Sequence, residues 1–312
     1  MADEITNLFN PVICYGEVLW DMLPDGPQIG GAPLNVAYHL SKLNVKSSII
    51  SKVGNDLSGY KISSIFDKWG LDKSYLQVDE EHSTSKVLVK LNERNDAQYE
   101  ILYPVAWDFI NPVYAFPSGI TNAHYLIYGS LSSRNETSKA TLFNMLDHDL
   151  IKVLDVNMRD PYVKKADLEY LLTRADIVKA NREELKRISL LFGGCYESEK
   201  DKVNFLVDKF NIAEVIITKG ANGASYFIDG GCFSTTSPQI RVADTIGSGD
   251  AFLAAFIAGR HSGHNPQTTL YNSIAMGAFI STKKGGCPEY EIKDFETFKT
   301  KSKTKSNNLK TN

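Results

Sequence analysis

The stretch that decides the fold is Val242-Ala243-Asp244-Thr245-Ile246-Gly247-Ser248-Gly249-Asp250-Ala251-Phe252-Leu253-Ala254-Ala255-Phe256. Two glycines flank a serine, an aspartate follows, and small apolar residues continue beyond it. Glycine lets a backbone turn tightly and leaves room for an approaching ligand. The apolar run predicts a buried helix that begins near Gly249. The unpaired N–H groups and positive dipole end of such a helix bind anions, most often phosphate.

Asp250 lies at the mouth of this predicted anion site. A carboxylate beside a phosphate is repelled, so its presence indicates a chemical role. The role that we infer is to accept the proton of a hydroxyl group that attacks a phosphoryl group. A helix start favours the ionised form, which predicts a low pKa for Asp250. The same residue types also occur in ordinary turns and helix caps, so the stretch alone leaves both interpretations open.

Two other phosphate-binding motifs are excluded by the sequence. The chain contains no Gly-x4-Gly-Lys-Ser/Thr sequence, which excludes a P-loop. The pair Gly247 and Gly249 lacks the third glycine of a dinucleotide-binding loop, because Phe252 stands at that position. A different kind of phosphate site is therefore predicted.

Composition limits the class of protein. The chain has 312 residues, of which 43% are apolar, enough for a sizeable core, and its net charge of −3 gives no electrostatic reason to expect a nucleic-acid partner. No apolar run follows the acidic start Met1–Glu4, and none approaches the roughly 18 to 20 residues of a membrane span. The four cysteines are scattered, as in reduced cytosolic proteins. We expect a cytoplasmic globular protein without a membrane partner.

The order of the predicted elements indicates the architecture. From residue 123 onward, apolar strands alternate with helices, which predicts an α/β protein with a mostly parallel central sheet and helices on both faces. Before that point, residues 84–103 alternate as a strand hairpin, and with residues 17–29 they predict a small β-sheet lid that stands off the main body. We therefore predict one domain over residues 1–298. The polar segment 299–312 is predicted to be a disordered tail.

Polar side chains follow several of the predicted strands at their carboxyl ends. In open α/β sheets, ligands bind beyond these ends. A second candidate region is the double glycine Gly30-Gly31, which precedes a helix with Asn35 in its first turn. This arrangement suits a hydroxyl-rich ligand, although plain helix-start chemistry explains the same residues. The side chains and glycines at the strand ends are Asn157, Arg159, Asn181, Glu184, Thr218 and Gly220.

Two signatures at opposite ends of the chain resemble those of the ribokinase-like (PfkB-type) carbohydrate kinases, and most closely those of bacterial fructokinases. The first signature is Gly30-Gly31-Ala32-Pro33-Leu34-Asn35-Val36-Ala37, and the second is Asp244-Thr245-Ile246-Gly247-Ser248-Gly249-Asp250. Between them, Asn181-x-x-Glu184 is similar to the family's metal-linked motif, and Thr218-Lys219-Gly220-x-x-Gly223 is similar to its nucleotide loop. The resemblance covers nearly the whole chain and implies a ribokinase-like fold.

The resemblance also implies roles for single residues. Asp250 is expected to act as the catalytic base, and the backbone N–H groups of Gly247, Ser248 and Gly249 are expected to stabilise the charge on the transferred group. Arg159 is expected near the phosphates or the sugar. The sugar hydroxyls are expected to bind Asp21, Gly30, Gly31 and Asn35.

The implied cofactors are ATP and Mg²⁺, with K⁺ as a candidate third. Glu184 and Asn181 would position Mg²⁺ through its water shell. Where the family often has Asn or His, this chain has Ile274, which predicts apolar stacking on the base. The nucleotide groove is expected to contain Thr218, Gly220 and Gly223, and the monovalent cation to lie at Asp244, Ile246 and Gly286.

The function implied by these features is an ATP-dependent sugar kinase, with D-fructose as the leading acceptor. Ribose, a 2-keto-3-deoxy sugar acid or a nucleoside are alternative acceptors of the same chemistry. A sugar-binding regulator without turnover is the alternative from another class. The lid sheet is also expected to form a homodimer through an apolar face with Val87, Val89 and Ile101.

Overall fold

The computed structural model describes residues 12–91, 97–112 and 124–308. The strands in these residues belong to two sheets. In chain order they are β1 (Val12–Tyr15), β2 (Leu19–Leu23), β3 (Gly26–Gly30), β4 (Ser47–Gly54), β5 (Leu76–Asp79), β6 (Ser85–Leu91), β7 (Ala97–Ile101), β8 (Tyr125–Gly129), β9 (Ile151–Asp155), β10 (Ile177–Asn181), β11 (Glu214–Thr218), β12 (Ala224–Ile228) and β13 (Gly231–Thr235).

The large sheet has the order β13-β12-β11-β10-β9-β8-β1-β4-β5 within the described residues. From β11 to β5 neighbouring strands are parallel, whereas β12 and β13 form an antiparallel edge. Strands such as Ile177–Asn181 are buried on both faces, because successive side chains point to opposite sides of a strand. Thus Ile177 packs into the core on one side of the sheet and Val178 into the core on the other.

Helices cover both faces of this sheet. In the described residues they are α1 (Ala32–Lys42), α2 (Leu57–Trp69), α3 (Glu136–Met145), α4 (Lys165–Arg174), α5 (Arg182–Leu191), α6 (Glu199–Phe210), α7 (Ser248–His261), α8 (Pro266–Ser281) and α9 (Ile292–Asn308). Helices α3 to α6 supply one core, and α1, α2, α7 and α8 supply the other. None of the described helices has both the length and the apolar character that a bilayer crossing needs.

The small sheet has the order β3-β2-β6-β7 and is separate from the large one. It is built from the two segments that the sequence assigned to a lid. Strand β2 pairs antiparallel with β3 and parallel with β6, so Asp21 lies opposite Gln28 on one side and Val87 on the other. The mostly parallel sheet between helices and the additional small sheet are both confirmed.

The carboxyl-terminal segment differs from its prediction. Helix α9 continues to Asn308, ten residues into the segment predicted as a disordered tail. Phe295 is buried and Phe298 packs on Phe279 of α8, so two aromatic anchors fix the beginning of this helix. The polar residues that follow continue the same helix. Residues 309–312 lie outside the described part of the chain.

Candidate active site

A cavity of about 880 Å³ lies between the small sheet and the carboxyl ends of the parallel strands. We call it the cleft. Strands β9, β10 and β11 end at it, and helices α1 and α7 begin at it. Most of the residues that the sequence singled out line this cleft, among them Asp21, Gly31, Asn35, Asn157, Arg159, Asn181, Glu184, Thr218, Gly247, Gly249 and Asp250.

The start of helix α7 has the backbone conformation that the glycines predict. Gly247 precedes the helix with φ of 72°, a left-handed conformation that strains other residues. A Cβ atom at this position would lie 2.5 Å from the Cα atom of Gly286, so the loop before α7 is packed directly on the loop after α8. The first turn of α7 therefore presents its N–H groups at the cleft in a fixed position.

Asp250 lies in this first turn and is partly buried. The side-chain amide of Asn35 donates a hydrogen bond of 2.7 Å from Nδ2 to Oδ2 of Asp250. The thiol of Cys287 in turn donates to Oδ1 of Asn35, at 3.2 Å. The amide is thus fixed by two partners, and it holds one carboxylate oxygen of Asp250 in place.

The expectation of a low pKa for Asp250 is wrong. Burial raises this pKa to about 6, and the neighbouring carboxylate of Asp155 raises it too, while the Asn35 hydrogen bond and the charges of Lys179 and Arg159 lower it. The helix start favours the anion, but this effect is smaller than the cost of removing the carboxylate from water beside another carboxylate. Asp250 therefore binds its proton more tightly than an exposed aspartate does.

A buried ion pair lies under the same turn. The Nζ atom of Lys179 is 2.8 and 2.7 Å from the two carboxylate oxygens of Asp155. The residues stand opposite each other on the parallel strands β9 and β10, and each side chain is 8% exposed. Both residues line the cleft. The pair has no net charge, but it fixes the ammonium group of Lys179 at the base of the predicted anion site.

Two further carboxyl groups line the other side of the cleft. Burial raises the pKa of Glu17 to about 7 and that of Asp21 to about 6, and the positive charge of Arg159 opposes both changes. Glu17 accepts a hydrogen bond from the backbone N–H of Ala32, at 3.2 Å, whereas its Oε2 atom is buried without a partner in the described residues. A Cβ atom built at Gly30 would overlap with Oδ2 of Asp21, so the glycine leaves room for this carboxylate.

Glu184 and Asn181 form the start of helix α5. Each accepts the other's backbone N–H, at 2.8 and 2.9 Å, and Glu184 also accepts the N–H of Met158, at 2.9 Å. Carboxylate oxygens can accept more than one hydrogen bond, so Glu184 can still bind water molecules. In the described part of the chain no group of three or more His, Cys, Asp or Glu residues could hold a metal ion directly. The oxygen atoms of Glu184 and Asn181 are of the kind that suits Mg²⁺, which usually keeps several of its waters.

A second cavity, of about 530 Å³, adjoins the cleft, and we call it the groove. Small and apolar side chains supply most of its lining, and Ile274 is one of them. Gly220, Gly223 and Ser248, which the sequence also singled out, line the groove. Thr218, Thr245 and Gly249 line both cavities. The first turn of α7 thus lies where two separate binding spaces meet.

The loops proposed for a monovalent cation are held together by the Asp244 side chain. Its two carboxylate oxygens accept the backbone N–H groups of Ile246 and Gly285, at 3.0 and 2.9 Å. The carbonyl of Gly286 is 2.9 Å from Nε2 of the buried His39. These contacts bring the three proposed residues into one region, and their role toward a cation stays a prediction.

The apolar face of the small sheet that the sequence predicted for a homodimer points into the cleft and not away from the molecule. Val87 and Ile101 line the cleft, because the alternation along β6 and β7 turns them toward the large sheet. Val89 lies outside the residues whose side chains are described. The first two residues therefore face the inside of the molecule, and association through the small sheet stays a prediction.

Three buried charged residues of the cleft were not predicted from the sequence, namely Glu17, Asp155 and Lys179. A signal for two of them was present. Asp155 and Lys179 interrupt apolar strands with charges of opposite sign, and such charges in buried strands need partners. Glu17 had no such signal, because the sequence does not show that the residue after Gly16 turns into the cleft.

Comparisons with known proteins show which family and fold the chain resembles. The family described as pfkB family carbohydrate kinase matches residues 26–293. A fructokinase of Escherichia coli is 28% identical over 261 residues, which cover 79% of this chain and 83% of that protein.

Solved structures are also similar to the chain. A fructokinase of Xylella fastidiosa with bound ATP superposes with a TM-score of 0.84 at 20% identity, over 95% of this chain and all of that one. A fructokinase of Vibrio cholerae bound to fructose, ADP and a calcium ion superposes with a TM-score of 0.78 at 24% identity, over 92% and 98% of the two chains. At these identities the likeness shows the fold, and the ribokinase-like fold expected from the sequence is confirmed.

Proposed function

The chain belongs to the pfkB family of carbohydrate kinases, and we propose that it is an ATP-dependent fructokinase. The observation that carries this proposal is the meeting of two cavities at the first turn of α7, which also contains Asp250 on the side of the cleft. The polar cleft suits a sugar, and the more apolar groove suits a nucleotide base. A phosphoryl group that moves between them would pass the N–H groups of the helix start.

The reaction would proceed by direct transfer. A sugar hydroxyl in the cleft attacks the γ-phosphorus of ATP, the new O–P bond forms as the bond to the departing ADP breaks, and Asp250 accepts the hydroxyl proton. Asn35 holds Asp250 in position. The N–H groups of Gly247, Ser248 and Gly249 stabilise the charge on the transferred group. Mg²⁺ would supply further charge neutralisation when bound, with Glu184 and Asn181 holding its water shell.

The choice of D-fructose is supported by relatives and by the polarity of the cleft. The E. coli relative is named a fructokinase, and the V. cholerae structure contains fructose and ADP. In this chain Asp21, Asn35 and Arg159 line the cleft and offer both hydrogen-bond acceptors and donors. Such a site discriminates between hydroxyl patterns, because a wrong sugar leaves buried polar groups unpaired.

The test is a measurement of ADP release from Mg-ATP with D-fructose, ribose, tagatose, glucose and adenosine, each assayed in parallel. Turnover on fructose above all other acceptors is the expected result, and Asp250→Asn should lower it by roughly 100-fold or more. Turnover on another acceptor would support the proposed mechanism but show that D-fructose is not the substrate. Binding of sugar without any ADP release, unchanged in Asp250→Asn, would indicate a regulator in place of an enzyme.

A further inference from the structure

Lys179 is a charged group of the cleft to which the proposed reaction assigns no role. Its ammonium group has three N–H donors, and two of them point to the oxygens of Asp155 at 2.8 and 2.7 Å. The third has no hydrogen-bond partner in the described part of the chain. Because Asp155 accepts with both oxygens, rotation of the ammonium group is restrained. The free donor therefore has a fixed direction.

The position of this ammonium group relates it to the anion site. A Cβ atom built at Gly249 would lie 3.4 Å from Nζ of Lys179, which is an ordinary van der Waals contact, so the ammonium group lies directly beside the first turn of α7. Gly249 lines both the cleft and the groove, whereas Lys179 lines the cleft. The ammonium group thus lies beside the backbone donors that a phosphoryl group would contact.

We propose that Lys179 is a catalytic residue whose free N–H binds an oxygen of the phosphoryl group during its transfer, while Asp155 fixes the direction of that N–H. This inference rests on the proposed function. The new bond joins the sugar oxygen to phosphorus, the bond to the ADP oxygen breaks, and the hydroxyl proton goes to Asp250. Lys179 keeps all its protons throughout and supplies charge and direction only.

The charges around Lys179 agree with a permanently protonated amine. Burial lowers its pKa, but Asp155, Asp250 and Glu184 raise it more, so the net change is upward. Asp250 is itself surrounded by Asp155, Lys179, Asn35 and Arg159. An arriving phosphate adds negative charge to a region that already holds several carboxylates. A buried cation at this point reduces that repulsion.

The chain provides a matched control for this proposal. Lys52 and Asp79 form a second buried ion pair between neighbouring strands of the same sheet, at 2.6 Å and with side chains 9% and 6% exposed. Lys52 does not line the cleft or the groove. Methionine has nearly the same shape as lysine, so replacing either lysine by methionine removes the positive charge and leaves a buried carboxylate without its cation. Only the change at residue 179 also removes a donor from the anion site.

The first experiment compares Lys179→Met with Lys52→Met in steady-state kinetics and thermal unfolding. We expect kcat to fall by roughly 100-fold or more in Lys179→Met, with the sugar KM changed by less than about three-fold. Lys52→Met should keep kcat within about three-fold even if both variants unfold at lower temperature. Equal losses of kcat in the two variants, or a nearly unchanged kcat in Lys179→Met, would overturn the proposal.

The second experiment needs no turnover and therefore separates this inference from the proposed function. The affinities for ADP and for a non-hydrolysable ATP analogue are measured by calorimetry in the wild-type protein and in Lys179→Met. The analogue should lose at least about ten-fold in affinity relative to ADP, because only the analogue carries the third phosphate. Equal losses for both nucleotides would contradict the contact. If Lys179→Met does not fold, the double variant Lys179→Met/Asp155→Leu leaves no unpaired buried charge and takes its place.

Discussion

Glu17 shows what a single buried carboxyl group does to this protein. Its side chain is enclosed beside the cleft, one oxygen accepts the Ala32 N–H, and burial raises its pKa to about 7. In the unfolded chain the group releases its proton near its ordinary pKa of 4.5. Between these two pH values the folded protein binds more protons than the unfolded protein. Stability from this group is therefore complete below about pH 4.5 and is lost as the pH rises through about 7.

This argument predicts the effect of Glu17→Gln, which mimics the protonated form. The free energy of unfolding of the wild-type protein should fall between pH 5 and 8 by up to about 3 kcal/mol more than that of the variant. Urea unfolding of both proteins at each pH measures the difference. If the two pH profiles are parallel, Glu17 is ionised in the folded protein and the argument fails.

Asp250 gives a prediction about activity. Because it must be ionised to accept a proton and its pKa is about 6, kcat should decrease below about pH 6. The Asn35 hydrogen bond lowers that pKa, so Asn35→Ala should move the decrease to higher pH. The measurement is kcat against pH at saturating sugar and ATP. If the pH profile of the variant coincides with that of the wild type, a group other than Asp250 causes the decrease of kcat at low pH.

The sequence predicted the residues of the site better than their electrostatic environment. Asp250, Asn35 and the two glycine pairs could be identified because they stand in short, specific motifs. The pKa of Asp250 could not, because it depends on burial in the folded protein and on Asp155, about a hundred residues away in the chain. Position in a motif is local information, whereas desolvation is a property of the folded molecule.

Helix α7 depends on the loop before it. Gly247 has φ of 72° and touches Gly286, whereas Gly263, just beyond the other end of the helix, has φ of 70° and open space around it. Gly247→Ala and Gly263→Ala thus impose the same backbone strain of about 1 to 2 kcal/mol. Only the change at Gly247 also pushes the two loops apart.

We therefore expect different outcomes from these two substitutions. Gly247→Ala should lower kcat by roughly 100-fold or more, because the N–H groups of the first turn move away from the transferred group. Gly263→Ala should retain most of the activity and lose only stability. Steady-state kinetics and thermal unfolding of both variants decide the question. Similar values of kcat in the two variants would mean that the position of the first turn of α7 does not determine the rate of phosphoryl transfer.

Element types were predicted well, and boundaries less well. Helix α2 begins after Asp56, which caps Gly59 N–H, and ends at Gly70 in a left-handed conformation, as the residue types indicate. Residues 299–308 of helix α9 were predicted as a disordered tail, because their polar sequence contains no core pattern and the helix is anchored by Phe295 and Phe298 before them. A helix that depends on tertiary anchors cannot be identified from composition alone.

Arg134 connects the small sheet to the main body. Its guanidinium group forms a buried ion pair with Asp108, at 2.6 Å, with both side chains fully buried. It donates to the carbonyl of Leu102, at 2.8 Å, one residue beyond the end of β7. It also stacks on Trp107 and on Tyr162, which lines the cleft. One side chain therefore fixes the chain where it leaves the small sheet.

Replacing Arg134 by methionine should destabilise the protein by about 3 to 5 kcal/mol, because Asp108 is left buried and unpaired. The KM for the sugar should also rise, since the small sheet loses its attachment beside the cleft. Arg174→Met removes a solvent-exposed ion pair with Asp147 and should cost less than about 1 kcal/mol. Chemical denaturation and sugar saturation curves test both effects. Equal stabilities of the two variants would contradict the conclusion that the buried Arg134–Asp108 pair stabilises the attachment of the small sheet.

The separation of Asn35 and Asp250 in the sequence determines when the site can be completed during synthesis of the chain. The two residues are 215 positions apart in the chain. At about 5 to 20 residues per second, a ribosome adds Asp250 roughly 10 to 40 seconds after Asn35. During this interval the emerging chain has the acceptor side of the site but neither the base nor the anion-binding turn. A nascent chain therefore cannot transfer a phosphoryl group to water or to a sugar until helix α7 has been synthesised and has packed on the sheet.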